Sequence, residues 1–128
     1  MRTTTYLLLL TILITFQSCF EIIEQVFLKA DGSGDFQLVL NMSKSKTRLN
    51  SIIKMKNING HDVPSKEEIK SKIADIEKTL GKTAGISNVR STADFDNFII
   101  SISCNFNKVT QINNGVKNIY LKENPKGK

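Results

Sequence analysis

Residues 97–107 alternate between apolar and polar side chains, and this stretch constrains the fold more than any other part of the chain. Successive side chains of a β-strand point to opposite faces of the sheet, so the segment predicts a strand with one packed and one solvated face. We expect Cys104 to be buried there as a small hydrophobic residue. The residues on the predicted packed face are Phe98, Ile100, Ile102, Cys104 and Phe106.

Three other segments have the composition of strands. Residues 21–30 are rich in β-branched and aromatic side chains, residues 36–42 alternate between apolar and polar, and residues 85–93 alternate more weakly. Together with residues 97–107 they predict an antiparallel sheet of about four strands.

The sequence DGSGD at residues 31–35 separates the first two strands. Its glycines can adopt the positive φ angles that a tight hairpin turn needs. The oxygens of its first, third and fifth side chains also match the start of a calcium-binding loop. Such a loop requires glycine at its sixth position and glutamate at its twelfth, where this chain has Phe36 and Met42, so the turn is favoured.

The most clearly marked helix begins after Ser65. Ser65 and Glu68 have the spacing of a capping box, in which each side chain bonds to the backbone N–H of the other. Apolar residues then follow at helical spacing as far as Gly81, which is expected to end the helix. Residues 109–119 predict a last, shorter helix, weakened by Gly115.

A further helix is predicted at residues 43–56, with Ser43 or Ser45 as its N-cap. This segment contains basic residues and no acidic one. Two interpretations stay open, a solvated helix face or a contact with anionic lipid or an acidic partner. Because no aromatic residue lies among them and the net charge is only +6, nucleic acid is not expected as a partner. The basic residues are Lys44, Lys46, Arg48, Lys54 and Lys56.

The predicted order of elements is ββααββα. Two strand pairs must share one core, and helices with one apolar face can cover one side of the sheet, which gives an α+β two-layer sandwich. We expect one domain at residues 19–120 and a polar tail at residues 121–128. The side chains expected to be mostly buried are Ile73, Ile76, Phe98, Ile100 and Ile102.

The chain offers few residues for catalysis. It has two cysteines and one histidine, too few for a Cys/His metal cluster, and no phosphate-binding glycine loop or catalytic motif. His61 lies beside Asp62 in a predicted loop, and these two residues cannot form a catalytic triad without a nucleophile. We therefore expect no enzyme activity, metal or cofactor. The alternative is a secreted or envelope hydrolase whose site only the fold assembles, and a pocket joining His61 to two acids would favour it.

Residues 1–18 have the three regions of a secretory signal peptide. Arg2 is positive, residues 6–16 are apolar, and the small Ser18 precedes Cys19. The apolar run is shorter than the roughly 20 residues of a membrane-spanning helix. A buried core helix is the alternative, but it would have a polar face, which this run lacks apart from its threonines.

Residues 16–19, FQSC, resemble the lipobox of bacterial lipoproteins, although that family usually has leucine in place of Phe16 and a small residue in place of Gln17. The mature chain is similar to uncharacterised Bacteroidota lipoproteins with a DGSG hairpin near the N-terminus. The resemblance implies that Cys19 is diacylated, and two acyl chains anchor a protein stably. It implies no activity.

The signal peptide, the lipobox-like cysteine and the missing catalytic set predict an envelope protein that acts as a binding or assembly module for another envelope protein or a surface polymer. Because residues 20–22 do not resemble surface-export signals, we expect it in the outer membrane, facing the periplasm.

A disulfide between Cys19 and Cys104 is the alternative role for the first cysteine, since an oxidising compartment would permit it. That pairing requires cleavage before Cys19, where the chain has no clear Ala-x-Ala site. Lipid attachment is therefore favoured.

Overall fold

The computed structural model describes residues 20–125. The predicted signal peptide and Cys19 lie outside the described residues. The strands are β1 (Glu21–Leu28), β2 (Gly34–Asn41), β3 (Asn57–Ile58), β4 (His61–Asp62), β5 (Ile86–Asp94) and β6 (Ile99–Phe106). The helices are α1 (Lys46–Lys54), α2 (Lys66–Gly81) and α3 (Val109–Glu123), and a short 3₁₀ turn at Ser43–Ser45 precedes α1.

Four strands form one antiparallel sheet in the order β1-β2-β6-β5, and β3 pairs with β4 in a small separate hairpin. Helix α2 packs mainly on β5, and α3 packs on α2 and more lightly on β5 and β6. The predicted α+β fold with helices against a sheet of about four strands is therefore confirmed.

The turn between β1 and β2 forms as the DGSGD sequence predicts. The Lys29 backbone N–H donates to the Ser33 carbonyl at 2.8 Å, and Gly32 has a φ of +82°. The Asp31 carboxylate accepts hydrogen bonds from the Ser33 hydroxyl and backbone N–H. These bonds lower the pKa of Asp31 below its ordinary value.

The strand register puts the predicted apolar residues on one face of the sheet. Leu40 of β2 lies opposite Ile100 of β6 and, on its other side, opposite Ile22 of β1. Because directly opposed residues of an antiparallel pair point to the same face, the alternation predicted for each strand continues across the sheet.

The hairpin between β5 and β6 is held by its own side chains and by α2. The Asp94 carboxylate accepts hydrogen bonds from the backbone N–H groups of Asp96 and Asn97, both at 2.9 Å. The ammonium groups of Lys66 and Lys70 lie 5.8 and 5.6 Å from the centroid of the Phe95 ring. These cation–π contacts fix the turn against the first two turns of α2.

The helix ends follow the sequence signals in part. The predicted capping box is present: Ser65 Oγ accepts from the Glu68 N–H at 3.2 Å, and Glu68 accepts from the Ser65 N–H at 2.7 Å. Helix α2 ends at Gly81 as expected. Helix α3 is longer than expected and runs to Glu123, into the segment predicted to be a polar tail.

The buried core is smaller than the sequence suggests. Leu80, Ile86 and Cys104 form its centre, and Phe98 is 4% exposed, as predicted. The four isoleucines predicted to be mostly buried have most of their surface covered but are not fully enclosed, and Ile76 and Ile102 pack against the core cluster. The helices lie over β5 and one end of β6 and leave a gap above the remaining apolar face. The four residues are Ile73, Ile76, Ile100 and Ile102.

Candidate functional site

An apolar cleft of about 520 Å³ lies between the sheet and the two longer helices. Strands β2 and β6 form its floor, and α2 and α3 form its walls. Its lining is almost wholly aliphatic and aromatic, with Glu123 and Asn124 at one edge. The residues that define it here are Leu38, Leu40, Ile73, Ile102, Val116 and Ile119.

The cleft is closed at one end by a close approach of the helices. Gly115 of α3 is buried against Leu80 of α2 and Ile86 of β5. Behind this contact Thr83 is also buried; its hydroxyl donates to the Thr79 carbonyl and accepts from the Asn118 side chain, both at 3.2 Å. The helices are thus held together near the core, and the cleft begins where this packing stops.

The other end of the cleft has a polar rim. The Lys72 ammonium forms an ion pair with the Glu123 carboxylate, and Lys122 lies 3.7 Å from Asp75. Both pairs join α2 to α3, the first beside Glu123 of the cleft lining and the second beside a separate depression lined by Asp75 and Lys122. Tyr120 lines the cleft beside them and is largely exposed. The apolar lining therefore suits the hydrocarbon part of a ligand, and the polar rim suits a polar end group.

Apolar residues of β1 lie on the same face of the sheet as the cleft, on either side of Glu24. Ile22 lies opposite Leu40, and Val26 lies opposite Phe36. Ile22 is 61% exposed and Leu28 is 62% exposed, so this part of the sheet face is open to solvent. Exposed apolar patches of this kind on a domain surface usually mark an interaction site.

The predicted basic residues are all exposed. They do not share one face: at about 100° per residue, Lys46 and Arg48 point to nearly opposite sides of α1. Lys46 also lies near Asp94, whose pKa is lowered first by its hydrogen bonds from Asn97 and further by this positive charge. The anionic-surface contact of these five residues stays one of two untested interpretations, and the spread of the side chains around α1 favours the solvated one.

Cys104 is buried as predicted, with 4% of its surface exposed. Burial raises the pKa of its thiol, because the thiolate would lose its hydration. The side chain faces the core cluster that closes the cleft. The predicted lipid-attachment residue, Cys19, lies outside the described residues.

His61 lies in the exposed β3–β4 hairpin, after the turn formed by Asn59 and Gly60. Asp62 beside it accepts a hydrogen bond from the Asn57 amide at 3.3 Å. His61 does not line the apolar cleft. Within residues 20–125, no group of three or more His, Cys, Asp or Glu side chains is placed to hold a metal ion.

The opposite face of the sheet has a smaller depression of about 370 Å³, lined mostly by polar residues. Asn105 donates to the Asp35 carboxylate and accepts from Asn88 at 2.8 Å. Asn88 has a φ of 50° in the irregular part of β5. These side chains satisfy one another, so we interpret the group as a structural polar network.

Comparison of the chain with protein-family models, with curated proteins and with solved structures finds no match. Among residues 20–125, no helix has the length and apolar character needed to cross a membrane.

Sequence reasoning missed the cleft, although two patterns point to it. Val26, Phe27 and Leu28 are consecutive apolar residues, so β1 carries apolar side chains on both faces. Val116 and Tyr120 form an apolar stripe on the last helix of the chain. This helix packs mainly on α2 and makes few contacts with the sheet. Each pattern indicates apolar surface in excess of what a chain of this size buries.

Proposed function

We propose that this protein is a non-catalytic binding module whose apolar cleft takes a hydrocarbon chain. The proposal includes an anchor: the module is held in the cell envelope, at the outer membrane facing the periplasm, by lipid on Cys19. The observation that carries the binding role is the cleft of about 520 Å³ with an almost wholly apolar lining. Its volume falls within the range of about 300 to 1,000 Å³ typical of ligand sites.

The energetics favour an apolar occupant. Each Å² of apolar wall in contact with water costs about 25 cal/mol relative to burial. An occupant that covers the isoleucines of the cleft recovers that free energy without any hydrogen bond. The walls therefore select for apolar area rather than for a particular polar group.

The chemistry of the walls favours a hydrocarbon chain over a peptide. A peptide laid in the cleft would bring backbone N–H and C=O groups, and the aliphatic walls offer them no partners. Each unpaired buried amide costs about 1 to 3 kcal/mol. A hydrocarbon chain has no such groups, and its polar end can lie at the rim near Tyr120 and the Lys72–Glu123 ion pair.

The anchor rests on the sequence resemblance around Cys19. Strand β1 begins at Glu21, so a lipid on Cys19 would hold the domain within a few residues of the bilayer surface. A module in that position would have access to acyl chains as ligands.

The experiment is a titration of the chain carrying Cys19→Ser with a fluorescent fatty acid such as cis-parinaric acid. Val116 is 56% exposed at the cleft wall, so Val116→Glu places a carboxylate there without disturbing the core. Asn114→Glu is the matched control on the same helix, since Asn114 is exposed and does not line the cleft.

We expect saturable binding that falls at least tenfold in Val116→Glu and is unchanged in Asn114→Glu. Circular dichroism checks that both variants keep the fold. Equal binding by the two variants, or no binding by the parent chain, would overturn the proposal.

A further inference from the structure

Strand β1 is an edge of the sheet within residues 20–125, since its one neighbour there is β2. Lys29 donates its N–H to Ser33 of the turn, which makes these two residues a hydrogen-bonded pair. Hydrogen-bonded and non-bonded pairs alternate along an antiparallel ladder. The backbone groups of the even-numbered residues of β1 therefore point away from β2, towards the open edge: Ile22, Glu24, Val26 and Leu28.

The other edge of the sheet is protected against pairing. The register of β5 shifts between Ser87 and Arg90, and Asn88 has a positive φ in the bulge. Helix α2 packs along this strand. Bulges and covering elements are the usual devices that keep an edge strand from pairing with another chain.

Within residues 20–125, β1 has no bulge and makes its main contacts with β2 alone. Its register with β2 is continuous from Glu21 to Leu28, and it contains no proline. Phe27 is exposed on one face, while Ile22 and Leu28 are exposed on the other. A long, regular edge with apolar residues on both faces favours the addition of a further strand.

We propose that β1 pairs antiparallel with β1 of a second copy of this chain, about a two-fold axis at Gln25. In this register Glu21 lies opposite Lys29 of the second copy, so the symmetric pair contains two salt bridges. Ile22 lies opposite Leu28, and Ile23 lies opposite Phe27. In this register even-numbered residues lie opposite even-numbered residues of the second copy. Their backbone N–H and C=O groups point to the open edge, so they can form the hydrogen-bonded pairs.

Charge selects this register from its neighbours. A shift by one step in one direction places Glu24 opposite Glu24 on the axis, and directly opposed like charges are unfavourable. A shift in the other direction places Lys29 opposite Ile23 and leaves Glu21 without a cation across from it. The register centred on Gln25 avoids the contact between the two Glu24 side chains. It also forms the two Glu21–Lys29 pairs, which both shifted registers lack.

Pairing would also join the open apolar surfaces. A two-fold axis perpendicular to the sheet keeps the Ile22–Val26–Leu28 side of both copies on the same face. The clefts of the two copies would then lie on one continuous sheet, one on each side of the central strand pair. The pairing rests on the edge of β1 alone, so it is independent of what occupies the cleft.

Disulfide trapping tests the register in the chain carrying Cys19→Ser. Residues on the axis at a non-hydrogen-bonded pair have Cα atoms about 4.5 Å apart, within reach of a disulfide. We expect Gln25→Cys to form a covalent dimer under mild oxidation, well ahead of Glu24→Cys and Val26→Cys. Equal or no cross-linking at the three positions would overturn the proposal, as would preferential cross-linking at 24 or 26.

A charge exchange tests the interface without cysteines. Sedimentation equilibrium of the Cys19→Ser chain should show a dimer that Lys29→Glu weakens, because Glu21 then faces a carboxylate. Adding Glu21→Lys to Lys29→Glu should restore the dimer. A monomer at every concentration, or a double variant no better than Lys29→Glu, would overturn the proposal, and circular dichroism verifies that each variant is folded.

Discussion

Gly115 of α3 packs directly against Leu80 of α2. A Cβ added at residue 115 would lie 2.7 Å from Leu80 Cδ2, closer than Cβ atoms approach other atoms in folded proteins, and 3.0 Å from Ile86 Cδ1, which is a tight contact. The absence of a side chain therefore lets α3 approach the core at the closed end of the cleft.

This contact predicts that Gly115→Ala destabilises the protein, although alanine is favoured over glycine in helices by about 1 kcal/mol. Overpacking a tight contact typically costs about 1 to 3 kcal/mol. Urea unfolding should show a lower midpoint for Gly115→Ala and a higher or unchanged one for Asn114→Ala, whose side chain is exposed. An increase in stability for both variants would show that α3 does not pack this closely.

The capping box predicts an acid-dependent part of the stability. Hydrogen bonds from the Ser65 backbone N–H and hydroxyl lower the pKa of Glu68 below its ordinary value of 4.5. A carboxylate with a lowered pKa in the folded state stabilises fully above its unfolded pKa, and the effect is lost as pH falls through the lowered value.

Glu68→Gln keeps an oxygen that can accept from Ser65 but cannot titrate. Its stability should therefore change less than that of the parent between neutral pH and pH about 3. Glu67→Gln, outside the box, is the control and should follow the parent. Parallel pH profiles of Glu68→Gln and the parent would contradict the role of this carboxylate. Separately, Ser65→Ala should lower the unfolding free energy by about 1 kcal/mol.

The basic residues of α1 are expected to act as a solvated surface. Because Lys46 and Arg48 point to different sides of the helix, a flat membrane can meet only part of the set. The Cys19→Ser chain should therefore not sediment with anionic vesicles at about 0.1 M salt, where charges are screened beyond about 10 Å. Salt-sensitive binding that Lys54→Glu with Lys56→Glu abolishes would instead show an anionic-surface contact.

The anchor predicts a defined mass for the mature protein. Expression in a bacterial host should give a chain that begins at Cys19, partitions into detergent and exceeds the polypeptide mass by two or three acyl chains plus glycerol. Cys19→Ser should abolish membrane retention and leave the fold intact. Cys104 should remain a thiol, unreactive until the protein unfolds because it is buried. A soluble product lighter by two hydrogens, from a Cys19–Cys104 disulfide, would contradict the anchor.

The fold could be predicted because its signals are local. The alternation of β6, the DGSGD turn and the Ser65–Glu68 capping box each depend on side chains within a few residues of one another. Their agreement allowed the sheet, the helices and the buried position of Cys104 to be derived from the sequence alone.

The cleft could not be predicted, because it depends on where the helices lie across the sheet. Ile73 and Ile102 have the pattern of core residues, and only the packing of α2 over β5 leaves them at a partly open wall. The role of Gly115 could not be predicted from the sequence for the same reason. From the sequence it weakens a helix, whereas in the fold it is the point where α3 meets Leu80.

Methyl-group NMR of the Cys19→Ser chain with the fatty-acid probe tests the central proposal most directly. The methyl resonances of Ile73, Ile100 and Ile102 should shift on addition of the probe, because these side chains line the cleft. Those of Val39 and Ile99, on the opposite face of the same strands, should not. Shifts confined to the opposite face, or no shifts at saturating probe, would contradict the proposal that the cleft binds a hydrocarbon chain.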